Sequence, residues 1–430
     1  MINQVSFSTK KSLYRTVLLF FLIIMFQNYS YAKNVILNDT IGVQRVKGLV
    51  VDSKTKTPLV FASISVNGTN ISTVTNSNGE FTLKVPKKYQ NELITFSFLG
   101  YTSKVLIFKD LKNESIIKLE TYIEELEEIK ITVKDAKSLI LEVLKRKGSN
   151  YLNELTSMTA FYRETIKKRR AYISLSEAVL EINKQPYTSV KNDALMLYKS
   201  RKSTDYDKLD TIAFKLKGGP ISTLNLDIIK NPNTFFTEEM LEVFDFSFAS
   251  PTKIDNRPIY VVNFKQKKEI EDPQYYGELY IDAQALTLIN AKFHLNLDDV
   301  VKASKLFIVK KPNDADVSAI EASYQVDYVV KNGKWHYSYS RIQLGFKINW
   351  SKKLFNTVYY TTSEMAITDW EIIDNSELIK PKDRMRSSII MSDEASGFSD
   401  PDFWGTYNII EPEKPIETAI KKIQKQLKKN

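Results

Sequence analysis

Between Val46 and Phe98 apolar and polar positions alternate in short runs. Val46–Val51, Leu59–Val66, Ile71–Thr75, Glu80–Val85 and Leu93–Phe98 each read as a strand. Turn residues separate them: Asp52–Pro58, Asn67-Gly68, Asn76–Gly79, and Gly100 before Tyr101. The Asn-Gly pairs at 67–68 and 78–79 supply the positive φ that tight hairpins need. Short strands at this spacing predict a small antiparallel β-sandwich.

The period then changes. Ala136, Leu139, Ile140, Val143 and Leu144 share one helical face, which predicts a helix over Lys134–Lys147 with a basic last turn and Gly148 as its stop. Thr159–Thr165 reads as a strand. Ala171–Ile182 is read as β, although its mixed periodicity fits a helix too. Gly218-Gly219-Pro220 reads as a turn or lid hinge, followed by short helices at Thr223–Ile229 and Thr237–Glu242. From Ile254 a β-meander is expected: Arg257–Gln266, Tyr275–Asp282, Leu286–Leu297, Ser304–Val309, Ala322–Val330, Lys334–Gln343, Lys347–Trp350 and Phe355–Asp369. Asp282–Ala285 and Asn332-Gly333 are its clearest turns. Pro415–Lys428 is an amphipathic helix with Ile416, Ala419, Ile420, Ile423 and Leu427 on its stripe.

The fold class is therefore mainly β (α+β). A small seven-strand-type sandwich precedes a larger curved antiparallel sheet with a few helices. The expected layout is a signal peptide at 1–32, the sandwich at 44–119 and an acidic linker at 120–133. A helix plus large sheet follows at 134–374, and a loop with the amphipathic helix at 375–430.

Composition adds a compartment. Lys10, Lys11 and Arg15 precede the uncharged 11-residue run Thr16–Phe26, and Ser30-Tyr31-Ala32 ends in small-x-small. This is the layout of a secretory signal cleaved after Ala32. The run is shorter than the ~20 residues a spanning helix needs. Export to the periplasm, or to the periplasmic face of an outer membrane, is expected. Of 430 residues none is cysteine, which removes disulfides and a lipobox anchor. Net charge is +10, part of it at Lys167–Arg170 and in the tail. Such runs suit a solvated face, or phosphate or an anionic lipid surface. With an export signal, nucleic acid is not an expected partner.

The first stretch resembles the carboxypeptidase regulatory-like domain, a prealbumin-like sandwich. The resemblance is carried by Gly48, Asp52, Pro58-Leu59, Ala62, Val66, Gly68-Thr69, Thr73, Thr75-Asn76, Gly79-Glu80-Phe81 and Phe98-Leu99-Gly100-Tyr101. Asn76 departs from the usual aspartate. The resemblance implies a module without catalysis of its own. Thr121–Val133 resembles the junction that joins this sandwich to the plug of TonB-dependent receptors, but too little chain follows for a plug and barrel. Tyr260–Phe264, Gly277–Asp282, Ile289 and Phe293 give the large sheet a likeness to the half-barrel of periplasmic lipoprotein carriers. Phe161-Tyr162-Arg163-Glu164 and Asp402–Glu413 (DFWGTYNIIEPE) resemble features of exported Bacteroidetes proteins of unknown function.

Chemistry is sparse. The two histidines, His294 and His336, lack the His-x-x-Glu spacing of a zinc peptidase and sit in predicted strands, where an ordinary sheet-face role fits. There is no thiol nucleophile and no Gly-x-Ser-x-Gly elbow. Asp298-Asp299 and Glu238-Glu239 suit a turn and a helix start. Asp314 and Asp316 in the loop Pro312–Ser318 lack the further oxygens of a calcium site. With 23 Tyr, 23 Phe and 4 Trp, rings such as Trp335, Tyr337, Tyr339, Tyr359 and Tyr360 suit cross-strand packing, or a concave surface for an apolar chain, glycan or peptide. The reading is a non-enzymatic envelope protein, without cofactor or metal, that binds a partner protein or an apolar or glycan ligand through its large β domain. Its alternatives are a carboxylate-dependent hydrolase and an assembly factor of the outer membrane. Peripheral membrane contact is compatible with the basic runs.

Overall fold

The computed structural model describes residues 42–122, 135–204, 219–232, 237–254, 257–307, 313–352, 354–389, 391, 396–397, 403–413, 416 and 418. The expected signal segment, all of the linker beyond Tyr122, Gly218 and the tail helix apart from Ile416 and Thr418 lie outside them.

The sandwich strands are β1 (Val43–Asp52), β2 (Ser63–Val66), β3 (Ser72–Val74), β4 (Glu80–Pro86), β5 (Leu93–Ser97), β6 (Tyr101–Thr102), β7 (Lys104–Ile107) and β8 (Ser115–Thr121). They form two four-stranded sheets, β4-β1-β8-β6 and β3-β2-β5-β7. Alternation delivers Ile64, Val66, Phe81, Leu83, Val85, Ile94 and Phe96 to the space between them, all buried. One pairing departs from the antiparallel expectation, because β1 and β8 run parallel. Two glycines of the resemblance have steric reasons. A Cβ on Gly79, at φ +75°, would meet the Val50 carbonyl at 2.6 Å, and one on Gly48 would meet the Phe81 ring at 2.6 Å.

The remaining elements are helices α1 (Ala136–Lys145) and α2 (Lys147–Asn150), strands β9 (Thr156–Lys168), β10 (Ala171–Lys184) and β11 (Ala194–Thr204), and helices α3 (Gly219–Leu224) and α4 (Glu238–Leu241). Strands β12 (Phe244–Phe248), β13 (Thr252–Ile254), β14 (Arg257–Gln266), β15 (Tyr275–Asp282) and β16 (Thr287–Leu295) come next. Helix α5 (Val300–Lys305) and strands β17 (Ala315–Lys331), β18 (Lys334–Trp350), β19 (Thr357–Ile372) and β20 (Ser396–Gly397) complete the series. They build one curved twelve-stranded sheet in the order β12-β14-β15-β16-β17-β18-β19-β9-β10-β11-β20, with β13 paired to β14. Among the described strands of this sheet only β20 joins parallel, Arg201 facing Ser396. The β17–β18 hairpin turns at Asn332 (φ 50°) and Gly333 (φ 73°), both left-handed, as a type I′ turn requires.

Four local expectations are corrected. Residues 304–307 of the expected strand Ser304–Val309 are not β: Asp299 accepts the Lys302 N–H at 2.9 Å and starts helix α5 instead, while Ile308 and Val309 lie outside the described residues. Gly148 does not stop the chain's helical course but lies inside α2. Gly219-Pro220 opens α3 where a turn is expected, since proline's fixed φ suits a first turn. The helix expected over Thr223–Ile229 accordingly begins four residues earlier and ends at Leu224.

Helix α1 is capped by Asp135, which accepts the Ser138 N–H at 2.8 Å. It buries Ala136, Leu139, Ile140 and Val143 in one core with Leu279, Ile281 and Leu288 of the sheet. The gap lined by Ile140, Val143, Leu144, Ile229 and those three sheet residues measures only about 10 Å³. That is room for one water at most.

The opposite face carries a buried ion cluster. The Glu177 carboxylate accepts from Arg163 at 2.7 and 2.8 Å and from Arg201 at 2.9 Å. Burial would raise this carboxyl, but the two guanidiniums outweigh it and hold Glu177 below the usual range. Arg163 also donates to the Ile410 carbonyl at 2.6 Å. Residues 403–413 thus form a clasp over the sheet, with the Trp404 ring edge-on to Phe161 at 5.3 Å. The clasp holds the sandwich from its other side. Asn408 accepts from the Lys84 N–H at 2.7 Å and donates to the Lys84 carbonyl at 3.0 Å. Thr73 and Asn76 donate to the Ile409 and Glu411 carbonyls at 3.1 and 3.0 Å, and Lys47 and Thr82 bind the Glu411 carboxylate. The two motifs noted in the sequence, 161–164 and 402–413, therefore meet, apart from Asp402, which lies outside the described residues.

Replacing Glu177 by Ala leaves two guanidiniums buried without their carboxylate. Such a change should cost roughly 3–5 kcal/mol. Chemical denaturation of wild type and Glu177→Ala measures it, and a loss under 1 kcal/mol would show that the cluster is not what fixes this face.

Candidate functional site

Between β2, β3 and β5 of the sandwich and β16–β19 of the large sheet lies an open cleft of about 1000 Å³. Its floor is the sheet face that carries the clasp. Alternation brings Asn290 and Lys292 of β16, Gln325 and Asp327 of β17, and His336 of β18 to it. A β-bulge shapes its centre. Asp327 faces Tyr339 while Tyr328 faces Tyr337, so Ser338 is the extra residue. The bulge keeps Tyr337 in the helix-side core and turns Tyr339 towards the sandwich.

Rings line the walls. Phe61 stacks on Tyr339 at 4.9 Å, with the Arg341 guanidinium over its face at 4.9 Å. Phe61 holds φ 62°, a left-handed conformation that bulky residues rarely adopt. Such backbones persist where the surroundings over-determine them. His336 stands edge-on to Trp370 at 4.8 Å. The sandwich stays over the floor through Ser72, which donates to the Ile367 carbonyl at 3.0 Å, and Asn70, which donates to that of Trp370.

The floor's polar groups are planar and densely connected. Asp327 accepts from Gln325 at 2.7 Å and from Asn290. Burial raises the Asp327 carboxyl against those bonds and the charge of Lys292. Asn290 is 5% exposed, and its Oδ1 receives no hydrogen bond. Burial first, and Lys331 second, push His336 down to about 3, so its imidazole is neutral across physiological pH. Burial likewise brings Lys331 down to about 8, against the pull of Asp369.

The candidate residues of the sequence scatter. His294 is exposed, stacked on Tyr276 at 5.3 Å with Nδ1 3.0 Å from Ser323 Oγ. Asp299 caps α5, Glu239 is exposed at the head of α4, and Asp298, Asp314 and Asp316 are exposed. Among the described residues no group of three His, Cys, Asp or Glu could hold a metal. The cleft's acids are Asp327, Asp369 and Glu371, which periodicity did not single out. Register places Asp327 opposite Tyr339, and Tyr339 opposite Ala366. Asp369 therefore lies roughly 10 Å across and roughly 10 Å along the sheet from Asp327, farther than paired glycosidase carboxylates stand.

Comparison with known proteins adds one assignment. Residues 46–131 match the CarboxypepD_reg-like domain family. No curated protein matches the chain. Among solved structures, a DUF1329 family protein from Desulfovibrio piger is 12% identical, covering 57% of this chain and 96% of its own, with a TM-score of 0.25. A LolA superfamily protein from Nitrosomonas europaea is 8% identical, covering 59% and 99%, also at 0.25. At these scores neither carries an argument about this chain. No described helix is long and apolar enough to cross a membrane.

On the helix-bearing face a second polar group is buried. The Glu164 carboxylate accepts from the Tyr162 hydroxyl at 2.9 Å, and that hydroxyl lies 3.1 Å from Ser363 Oγ. Helix α3 packs so closely that a Cβ on Gly219 would fall 2.3 Å from the Tyr162 oxygen and 2.8 Å from Glu164. Burial pushes Glu164 from 4.5 up to about 7, more than the tyrosine bond opposes. A native pKa above the unfolded one means the folded state holds the proton longer. Its favourable share of stability is complete below pH 4.5 and lost as pH rises to about 7. The loss is on the order of 3 kcal/mol. Glu164→Gln should flatten that part of the profile of unfolding free energy against pH; an unchanged slope would assign it to other carboxyls.

Proposed function

We propose that this protein binds a glycan in the cleft between sandwich and sheet, without turning it over, as an exported envelope protein. The observation that carries the reading is the cleft floor. The half-buried Asp327 carboxyl and the carboxamides of Gln325 and Asn290 lie side by side, with Asn290 Oδ1 unpartnered. Planar groups of this kind take both the donor and the acceptor roles of neighbouring hydroxyls. Rings at the rim, Trp370 above all, offer flat apolar faces to the C–H side of a sugar. Space supports the same choice. The helix-bearing face is packed where α1 meets it, whereas the cleft is roomy and amphipathic. A neutral His336 and the wide spacing of Asp327 and Asp369 favour binding over hydrolysis.

A glycan array probed with the purified chain, followed by titration calorimetry of the best ligand, tests the reading. Trp370→Ala should weaken that ligand about tenfold, the worth of one stacked ring. An array without a hit, or a hit whose affinity Trp370→Ala and Asn290→Ala both leave unchanged, would remove the cleft as its site. Release of shortened sugars on incubation would return the hydrolase reading.

A further inference from the structure

At one end of the large sheet two neighbouring hairpins finish together. Strand β9 ends in Lys167-Lys168 and turns into β10 through Arg169-Arg170, and the β18–β19 turn spans residues 351–356. Pairing of β9 with β19 sets them side by side, with Lys168 opposite Tyr359. The Arg169 N–H donates to the Val358 carbonyl at 2.8 Å, and its guanidinium to that of Asn356 at 3.4 Å. The second turn ends in Leu354 and Phe355, which are 97% and 77% exposed. Arg169, Arg170 and Lys352 around them are exposed as well. Residues 165–172 and 347–356 contain no acid; Glu413 accepts from the Tyr172 hydroxyl at 2.8 Å, and Asp314 and Asp316 stand at the start of β17. Helix α5, bonded to the same end of β17 through Ser304 and Ala319, exposes Val301 and Leu306.

An exposed leucine and phenylalanine on a hairpin tip cost hydration and bring no packing in return. A tip of this size falls far short of the ~800 Å² per partner of a stable protein interface. It does suit the boundary between lipid headgroups and acyl chains, where a few apolar side chains insert and flanking cations meet phosphates. We propose that the paired β9–β10 and β18–β19 tips dock this protein on an anionic bilayer surface, with Leu354 and Phe355 inserted and Arg169, Arg170 and Lys352 on lipid phosphates. The proposal is independent of what the cleft binds.

Vesicle flotation tests it, using the chain from Lys33, which keeps every described element and lacks the apolar run at 16–26. Wild type should float with vesicles of phosphatidylglycerol and phosphatidylethanolamine and not with phosphatidylcholine alone. The double change L354S/F355S should abolish flotation. R169A/R170A should weaken it about thirtyfold, and salt should weaken it further. Phe355→Trp retains the apolar tip, and its added emission should shift to the blue on the anionic vesicles. Wild type that stays in solution, variants that float as wild type does, or a tryptophan at 355 whose emission does not move would each overturn the proposal.

Discussion

A carboxylate sealed between two guanidiniums is the constraint on which one whole face of the molecule depends. Glu177 is removed from water, so it must stay paired with Arg163 and Arg201 or carry the full penalty of an isolated buried charge. Arg163 has donors left over, and it spends them on carbonyls of residues 403–413. Those residues then present carbonyls, an asparagine and a glutamate to the sandwich. The small domain is thus seated through an intermediary peptide, and the cleft is the space left beside that seat.

The two faces of the large sheet divide the work. On one, helix α1 fills the curve with Leu139, Ile140 and Val143 until almost no volume remains. On the other, the sandwich covers the sheet only partly, and the uncovered floor shows planar polar groups under aromatic walls. A dense face gives rigidity and an incompletely covered face gives access. The bulge at Ser338 joins the two roles, since it lets one strand send Tyr337 to the core and Tyr339 to the cleft.

Much of this was legible in the residues. Strict alternation placed β14 and β15 to the residue, and the turn glycines located the sandwich. β10 was ambiguous for a physical reason: core covers one side and clasp the other, so almost every position is buried and the period of two disappears. The pairing of β9 with β19 joins residues some two hundred positions apart, which no local pattern reports. The cleft was invisible for the same reason. Its acids, Asp327 and Asp369, look like ordinary polar positions of separate strands until register sets them on one floor. Asp402–Glu413 attracted notice by composition, but its task as a bridge needed the partners on both sides.

The clasp also sets an order of events. The sandwich strands are made first, the long strands next, and residues 403–413 only after both. Through most of synthesis the small domain can complete its own core without the clasp. The bridge between Arg163 and Lys84 is added at the final step, when the late segment is made. A single proteolytic cut between Met391 and Phe403 would leave both cores whole once the freed segment departed, and the sandwich would then rest on its direct contacts alone, among them Ser72 to Ile367 and Phe61 to Tyr339. The glycan binding proposed for the cleft is thereby tied to a peptide that lines none of it.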